Sequence, residues 1–232
     1  MKKRIAVIVA GGSGQRMQNT LPKQFMEVNG LPVIFHTIKA FHTYDPAIEI
    51  VVVIPEAHRN TFLSLTEKYR FDIPVTLVNG GATRTESVMS GLLSIPQKED
   101  TIVAIHDGVR PNISPKLLDR LFTTSERNSN ACVIPVVEST NSLRKITSEK
   151  RETLPVDRST IVEVQTPQLF RSDQIKRAYD KALKSDLSFT DDASLFQWYY
   201  KKSPLLVEGE SENIKITRPI DIELISKLLS QS

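Results

Sequence analysis

One cysteine occurs in the 232 residues, Cys132, and it lies inside the apolar run "ACVIPVV". An internal disulfide and a cysteine-built zinc site are therefore excluded, and the thiol reads as buried and inert. Histidine is nearly as scarce: His36, His42, His58 and His106 show none of the paired spacings that metal sites use, so no protein-built metal site is expected. No apolar run approaches the ~20 residues needed to span a bilayer, and no membrane partner is expected. The opening "MKKR" has the charge of a signal-peptide start, but only six apolar residues follow before Gly11 and Gly12. It reads instead as the exposed end of a first strand in a cytoplasmic protein. Neither sign of charge is in large excess, since 30 Lys and Arg face 27 Asp and Glu for a formal net charge of +3. With no dense basic run, a nucleic-acid partner is not expected, and any anionic ligand is a small molecule.

What is present is enough apolar material, 40% of residues against 25% charged, for one domain spanning 1–232. Strand-like runs rich in Val and Ile recur at Arg4 to Ala10, Ile48 to Ile54, Pro74 to Asn79, Thr101 to His106 and Ala131 to Val137. Most lack strict alternation, which suits a sheet buried on both faces. Helical stripes sit between them: Val33, Ile34, Thr37, Ile38 and Phe41 form one, and Val88, Met89, Leu92 and Leu93 another. Pro32 suits a first helical turn, Thr83 with Glu86 forms a capping-box pattern, and Ser114-Pro115 reads as a cap with its first helical residue. Strands alternating with helices predict a doubly wound, mostly parallel α/β sheet, with ligands at the carboxyl ends of its strands.

The pattern breaks between about Val137 and Val164, a long polar stretch with no helical stripe. A structureless loop of that length is improbable inside a domain, so a projecting β-hairpin arm with "SEKRE" near its tip is predicted. Helices are expected again at Ser172 to Lys184 and Asp191 to Tyr200, then a strand at Asn213 to Thr217 and a last helix from Pro219 to Leu229.

The chemistry concentrates in a few short stretches. "AGGSGQRMQNTLPK", from Ala10 to Lys23, begins like a dinucleotide fingerprint, but Met17 stands where its third glycine belongs and no acid follows at the ~20-residue distance of ribose recognition. The G-x-x-x-x-G-K-[ST] phosphate loop is absent as well. What remains is a glycine-rich turn whose N–H groups can surround an anion, followed by Arg16 and Lys23. A tight turn with two solvated cations would look the same. "NGGATRTES" repeats the logic: Gly80 and Gly81 turn closely, and Arg84 sits in a first helical turn, where the helix dipole disfavours a cation unless it binds an anion or a carbonyl. An outward-pointing arginine is the plain alternative. In "AIHDGVRP", Asp107 falls just past a strand, able to accept from a hydroxyl or help hold Mg²⁺, although Asp-Gly is also ordinary turn chemistry. In "FTDDAS", Thr190 or Asp191 is most simply a helix cap. In "NIKITRP", Ile214 and Ile216 share one strand face, leaving Lys215 on the other. Together these stretches set Arg16, Lys23, Arg84 and Lys215 around one sheet edge with Asp107 among them. Such a site suits a nucleoside triphosphate, whose α-phosphorus and departing pyrophosphate need charge neutralised.

"VAGGSGQRM…PKQF", "GGATRTESV", "HDGVRP", "DRS…QTPQLF", "FTDDAS" and "NIKITRP" resemble, in this order and at these separations, the 2-C-methyl-D-erythritol 4-phosphate cytidylyltransferase family of isoprenoid precursor synthesis. The resemblance implies a Rossmann-like nucleotidyltransferase fold, with Ala10, Gly11, Gly12, Gly14, Gly81, Arg84, Ser87, Gly108 and Lys215 at the CTP site. It makes Arg16 and Lys23 catalytic, stabilising the pentavalent α-phosphate. It has Asp107, Arg158, Thr166, Thr190 and Lys215 position the polyol phosphate, and Mg²⁺ or another divalent cation arrive mainly on the CTP phosphates. It also implies a homodimer that exchanges the 137–164 arm, so that Arg158 serves the neighbouring site. Two departures stand out: Gln15 replaces a frequent basic residue, and Gly108 replaces a frequent alanine, which should loosen a backbone contact. Ribitol-5-phosphate cytidylyltransferases share most of these motifs, but Arg218 after "NIKIT" leans to the methylerythritol family. A non-catalytic CTP-binding regulatory module is the alternative from another class, and the presence of both Arg16 and Lys23 argues against it.

Overall fold

The structure, a computed structural model, describes residues 2–11, 21–96, 100–128, 132–147, 152–185 and 187–231. In chain order its elements are β1 (Lys3–Val9), β2 (Glu27–Val28), β3 (Leu31–Pro32), α1 (Val33–Tyr44), β4 (Glu49–Ile54), α2 (Arg59–Lys68) and β5 (Thr76–Asn79). Next come α3 (Arg84–Leu93), β6 (Thr101–Asp107), α4 (Pro115–Arg127), β7 (Val133–Glu138), β8 (Leu143–Ile146), β9 (Thr153–Val156) and β10 (Val162–Val164). The chain then forms β11 (Gln168–Arg171), α5 (Ser172–Ala182), α6 (Asp192–Tyr200), β12 (Leu205–Glu208) and α7 (Pro219–Leu229).

The apolar runs behave as expected of strands covered on both faces. β5, β4, β1 and β6 lie side by side and parallel, while β11 reverses direction against β6 and joins it to β7. Along β1, Ala6 and Ile8 pack with Ile34, Ile38 and Phe41 of α1, whereas Ile5, Val7 and Val9 pack with Val88 and Leu92 of α3. Burying both faces removes the need for polar alternation, and each Val or Ile so buried contributes roughly 1.5–3 kcal/mol.

The helix starts follow their local signals. Thr83 and Glu86 form the reciprocal capping box at α3, and Ser114 caps α4 by accepting from the N–H of Leu117, with Pro115 as the first helical residue. Pro32 departs from expectation: it is extended, with φ −55° and ψ 142°, and precedes α1 rather than opening it. Its missing N–H still falls where no helical partner exists.

The arm is a hairpin. β8 and β9 pair antiparallel, with Arg144 opposite Pro155, as a two-stranded sheet separate from the main one. Ile146 and Leu154 stand exposed upon it, and of the expected tip residues 148–151 lie outside those described. The chain returns through β10, which pairs antiparallel with β7.

Two local readings fail here. Asn213 to Thr217 is not a strand, since it joins its neighbours through separate bonds such as Ile216 N–H to the Val109 carbonyl at 2.9 Å. Conversely, β12 pairs in parallel with β7, a strand its short sequence did not announce.

Candidate active site

The strand ends form a shelf. Val9 stands between Val53 and Asp107 in register, and three chain exits are then pinned to neighbouring strands. Ala10 N–H donates to the Val53 carbonyl, Gly80 N–H to that of Ile54 and Gly108 N–H to that of Val9, each at 2.8 Å. Above the shelf opens a cavity of about 210 Å³. Ala10, Gly11, Lys23, Gly81, Arg84, Ser87, Asp107 and Lys215 all line it, together with Gln24, Thr83 and Val109. Residues from β1, β6, α3 and the segment before α7 therefore meet at one point, as their placement at one sheet edge predicts. Gly12, Gly14 and Arg16 lie outside the described residues. Gly108, Arg158, Thr166 and Thr190 do not line the cavity.

The turn from Asp107 to Arg110 is held at every carbonyl. That of Asp107 accepts from Arg110 N–H at 3.0 Å, that of Gly108 from the Thr37 hydroxyl at 3.0 Å, and that of Val109 from Ile216 N–H at 2.9 Å. The Arg110 carbonyl lies 3.0 Å from His106 Nε2, and the Asp107 N–H donates to Thr166 Oγ1 at 3.1 Å. Thr166 thus stands behind the carboxylate as its backbone support. A turn with every carbonyl satisfied cannot drift without losing several bonds at once, so the carboxylate is aimed before any ligand arrives. Gly108, where a looser backbone contact was expected, has both backbone groups bonded, its N–H to the Val9 carbonyl at 2.8 Å and its carbonyl to the Thr37 hydroxyl at 3.0 Å, and an added Cβ would come 3.1 Å from Ala10 Cβ.

Asp107 is the one acid lining the cavity among the described residues, and three cations face it. Lys215 Nζ lies 2.8 Å from Oδ2, Arg110 Nε 3.7 Å from Oδ2 and Arg84 Nε 3.7 Å from Oδ1. Burial by itself would raise the Asp107 pKa, but the charges of Lys215, Arg84 and Arg110 outweigh it and bring it from 3.8 to about 2. The group is therefore a fixed anion and hydrogen-bond acceptor. Lys23 enters on a short 3-10 turn anchored by buried Phe25, and its Nζ donates to the Ile216 carbonyl at 2.7 Å. Beside it, buried Gln24 donates to the Ala10 carbonyl at 2.9 Å, which ties this turn to the first loop.

Arg84 is placed differently from the simplest expectation. Its two terminal nitrogens grip both oxygens of Asp192 at 2.8 and 2.7 Å, so the cation in the first turn of α3 is balanced by a fully buried acid. Tyr179 donates its hydroxyl to the same carboxylate. Asp191, not Thr190, is the cap of α6, accepting from Ser194 N–H at 2.9 Å. Thr190 is exposed just before it. Ser87 is buried in α3, with its Oγ 2.8 Å from the Thr83 carbonyl. Arg158 is exposed at the base of the arm, where its Nη1 donates to the Thr140 carbonyl at 3.0 Å. Sequence reading passed over Asp192, Arg110 and Gln24. Two adjacent acids in "FTDDAS" were the available signal for the first, since one cap needs only one of them.

A family model described as 2-C-methyl-D-erythritol 4-phosphate cytidylyltransferase matches residues 4–231. The chain belongs to this family. Among relatives, the Azobacteroides pseudotrichonymphae protein named 2-C-methyl-D-erythritol 4-phosphate cytidylyltransferase is 42% identical over 229 residues, covering 99% of this chain and 100% of its own. A protein of the same name from Bacteroides fragilis is 41% identical, covering 97% of this chain and 99% of its own. The crystal structure of 4-diphosphocytidyl-2C-methyl-D-erythritol synthase from Anaerococcus prevotii superposes with a TM-score of 0.83 at 31% identity, covering 99% of each chain. The doubly wound fold expected from the strand pattern is thus the fold of the 2-C-methyl-D-erythritol 4-phosphate cytidylyltransferase family. Four of the six motifs that carried the resemblance supply residues lining the strand-end cavity, whereas "DRS…QTPQLF" and "FTDDAS" do not.

Proposed function

We propose that this chain transfers a cytidylyl group from CTP to 2-C-methyl-D-erythritol 4-phosphate, releasing pyrophosphate and 4-diphosphocytidyl-2-C-methyl-D-erythritol. The observation that carries this reading is the family match from residue 4 to 231, together with a strand-end cavity where Lys23, Arg84 and Lys215 converge with Asp107. In this reading the turns at Ala10 to Gly14 and at Gly80 and Gly81 hold the triphosphate and base. Ser87, Arg84 and Gly108 shape their approach. Arg16 and Lys23 neutralise the pentavalent α-phosphate as a phosphate oxygen of the acceptor attacks in line and pyrophosphate leaves. No protein nucleophile is required.

Asp107 takes the acceptor's hydroxyls. Lys215, 2.8 Å from Asp107 and lining the same cavity as Lys23, would serve both substrates. Thr166, Thr190 and a partner subunit's copy of Arg158 complete the acceptor's side, with the 137–164 arm carrying Arg158 across a homodimer. Exposed Ile146, Leu154, Val162 and Val164 on the arm and its base are apolar surface that a second copy would cover.

Mg²⁺ fits as an ion borne by the nucleotide. Asp107 is the one described acid lining the cavity and is committed to Lys215, and no described group of three or more His, Cys, Asp or Glu could cage a metal. When bound, the ion would neutralise phosphate charge in concert with Lys23 and Arg16. The reading includes a cytoplasmic location, and no described helix is long and apolar enough to cross a membrane.

The test is pyrophosphate release from the purified protein with CTP and Mg²⁺, supplying methylerythritol 4-phosphate or ribitol 5-phosphate in parallel. Release with the first alone is expected. Release with the second alone would overturn the acceptor while keeping the nucleotide site, and binding of CTP without release would overturn the enzymatic reading.

A further inference from the structure

We propose that His106 is a positioning residue for the acceptor side of the site. It fixes the direction of the Thr166 hydroxyl and, through Thr166, the backbone that aims Asp107. The proposal deepens the functional reading above and rests on it for the role of Asp107.

Alternation along β6 sends neighbouring side chains to opposite faces. Asp107 faces Arg84 of α3, while His106 points beneath α1, where Phe41 meets its ring at 5.2 Å and 68°. His106 is fully buried, yet both ring nitrogens have partners. Nε2 lies 3.0 Å from the Arg110 carbonyl oxygen, which can only accept, so Nε2 carries the proton. Nδ1 is then a lone pair, and Thr166 Oγ1, 3.1 Å away, must donate to it. Thr166 Oγ1 uses a lone pair to accept the Asp107 N–H at 3.1 Å. The bonds form one directed chain from Asp107 N–H to Thr166, from Thr166 to His106, and from His106 to the Arg110 carbonyl. Asn213 holds the other end of Thr166, donating to its carbonyl at 2.9 Å. Desolvation brings the imidazole pKa from 6.5 to about 4, which keeps the ring neutral at ordinary pH.

Polarity follows from this direction. The single Thr166 proton is committed to His106, so Thr166 has only acceptor capacity left, and ionised Asp107 likewise only accepts. Asp107, the one described acid lining the cavity, is therefore held by this chain of bonds as an acceptor for the hydroxyl donors of a polyol, and phosphate oxygens are left to the cations.

Two measurements test the proposal on the full chain. A two-bond ¹H–¹⁵N spectrum of the labelled protein at neutral pH should show His106 protonated on Nε2, and an Nδ1-protonated ring would overturn the chain of bonds. In parallel, His106→Leu should lower kcat/KM for the polyol phosphate by about tenfold or more, the loss expected when one positioning hydrogen bond is removed, with the CTP Kd within twofold of wild type. His106→Asn, whose side-chain oxygen can take the place of Nδ1, should recover most of that loss. Equal losses in the two variants, or an equal loss toward CTP, would overturn the positioning role. Absence of turnover by the wild-type chain would instead count against the cytidylyltransferase reading, and the spectrum alone would then decide the tautomer.

Discussion

Replacing Asp107 by Asn keeps the shape of the side chain and removes the one charge that three cations share. The Asp107 pKa falls from 3.8 to about 2 in the folded protein, against the effect of its own burial. A depression of that size corresponds to about 2–3 kcal/mol of folded-state stability at neutral pH. Because the folded pKa is the lower one, this contribution is complete above pH ~4, about half gone near pH 3 and lost as the pH falls through ~2. Asp107→Asn should therefore lower Tm at pH 7 by about 5–10 °C for a chain of this length, and the gap to wild type in urea unfolding should shrink by about half at pH 3. Function should split in the opposite sense for the two substrates. Lys215 and Arg110 would lose their counter-charge while Arg84 stays held by Asp192, so CTP binding should hold or tighten while kcat/KM for the polyol phosphate falls by about 10²-fold. A stability gap equal at pH 7 and pH 3 would refute the charge argument, and a weakened CTP Kd would refute the assignment of Asp107 to the acceptor.

Three further outcomes are expected. Lys23→Ala should cut kcat by roughly 10²–10³ with CTP affinity changed only a few-fold, since its charge acts on the developing transition state; turnover close to wild type would remove Lys23 from the catalytic role. At Gly81 an added Cβ would come 2.3 Å from Glu86 Cβ, so Gly81→Ala must displace the capping box of α3. A loss of about 1–3 kcal/mol by thermal melting together with weaker CTP binding is expected, and an unchanged melt and CTP Kd would show that the turn has room. Finally, Lys23→Ala and Arg158→Ala chains co-expressed as mixed dimers should regain up to about a quarter of wild-type activity, because one site in each heterodimer receives both intact residues. Recovery no greater than the sum of the two inactive parents would place Arg158 in its own subunit's site or in none.

Short-range physics was legible in the chain itself. Val- and Ile-rich runs without alternation required a sheet covered on both faces, and β1, β4 and β6 formed where those runs lay. Thr83 with Glu86 and Ser114 with Pro115 set helix starts because their partners are three residues away. The glycine turns and their cations were visible as composition after strands. By contrast, Asn213 to Thr217 alternates like a strand yet meets Val109 and Lys23 through isolated bonds, a choice made by what stands opposite it. β12 is short and becomes a strand because β7 offers it an edge. Arg84 seemed to await an anion, and only the fold placed Asp192, buried and distant in sequence, against it. The same holds for Lys215 against Asp107 and for the link from His106 through Thr166. Sequence by itself determined most of the strands and helices and which residue types gather at the strand ends, because propensity, capping and burial periodicity act over a few residues. The tertiary structure alone decided which charge pairs with which and which way each buried hydroxyl and imidazole points, because those choices depend on groups brought together from opposite ends of the chain.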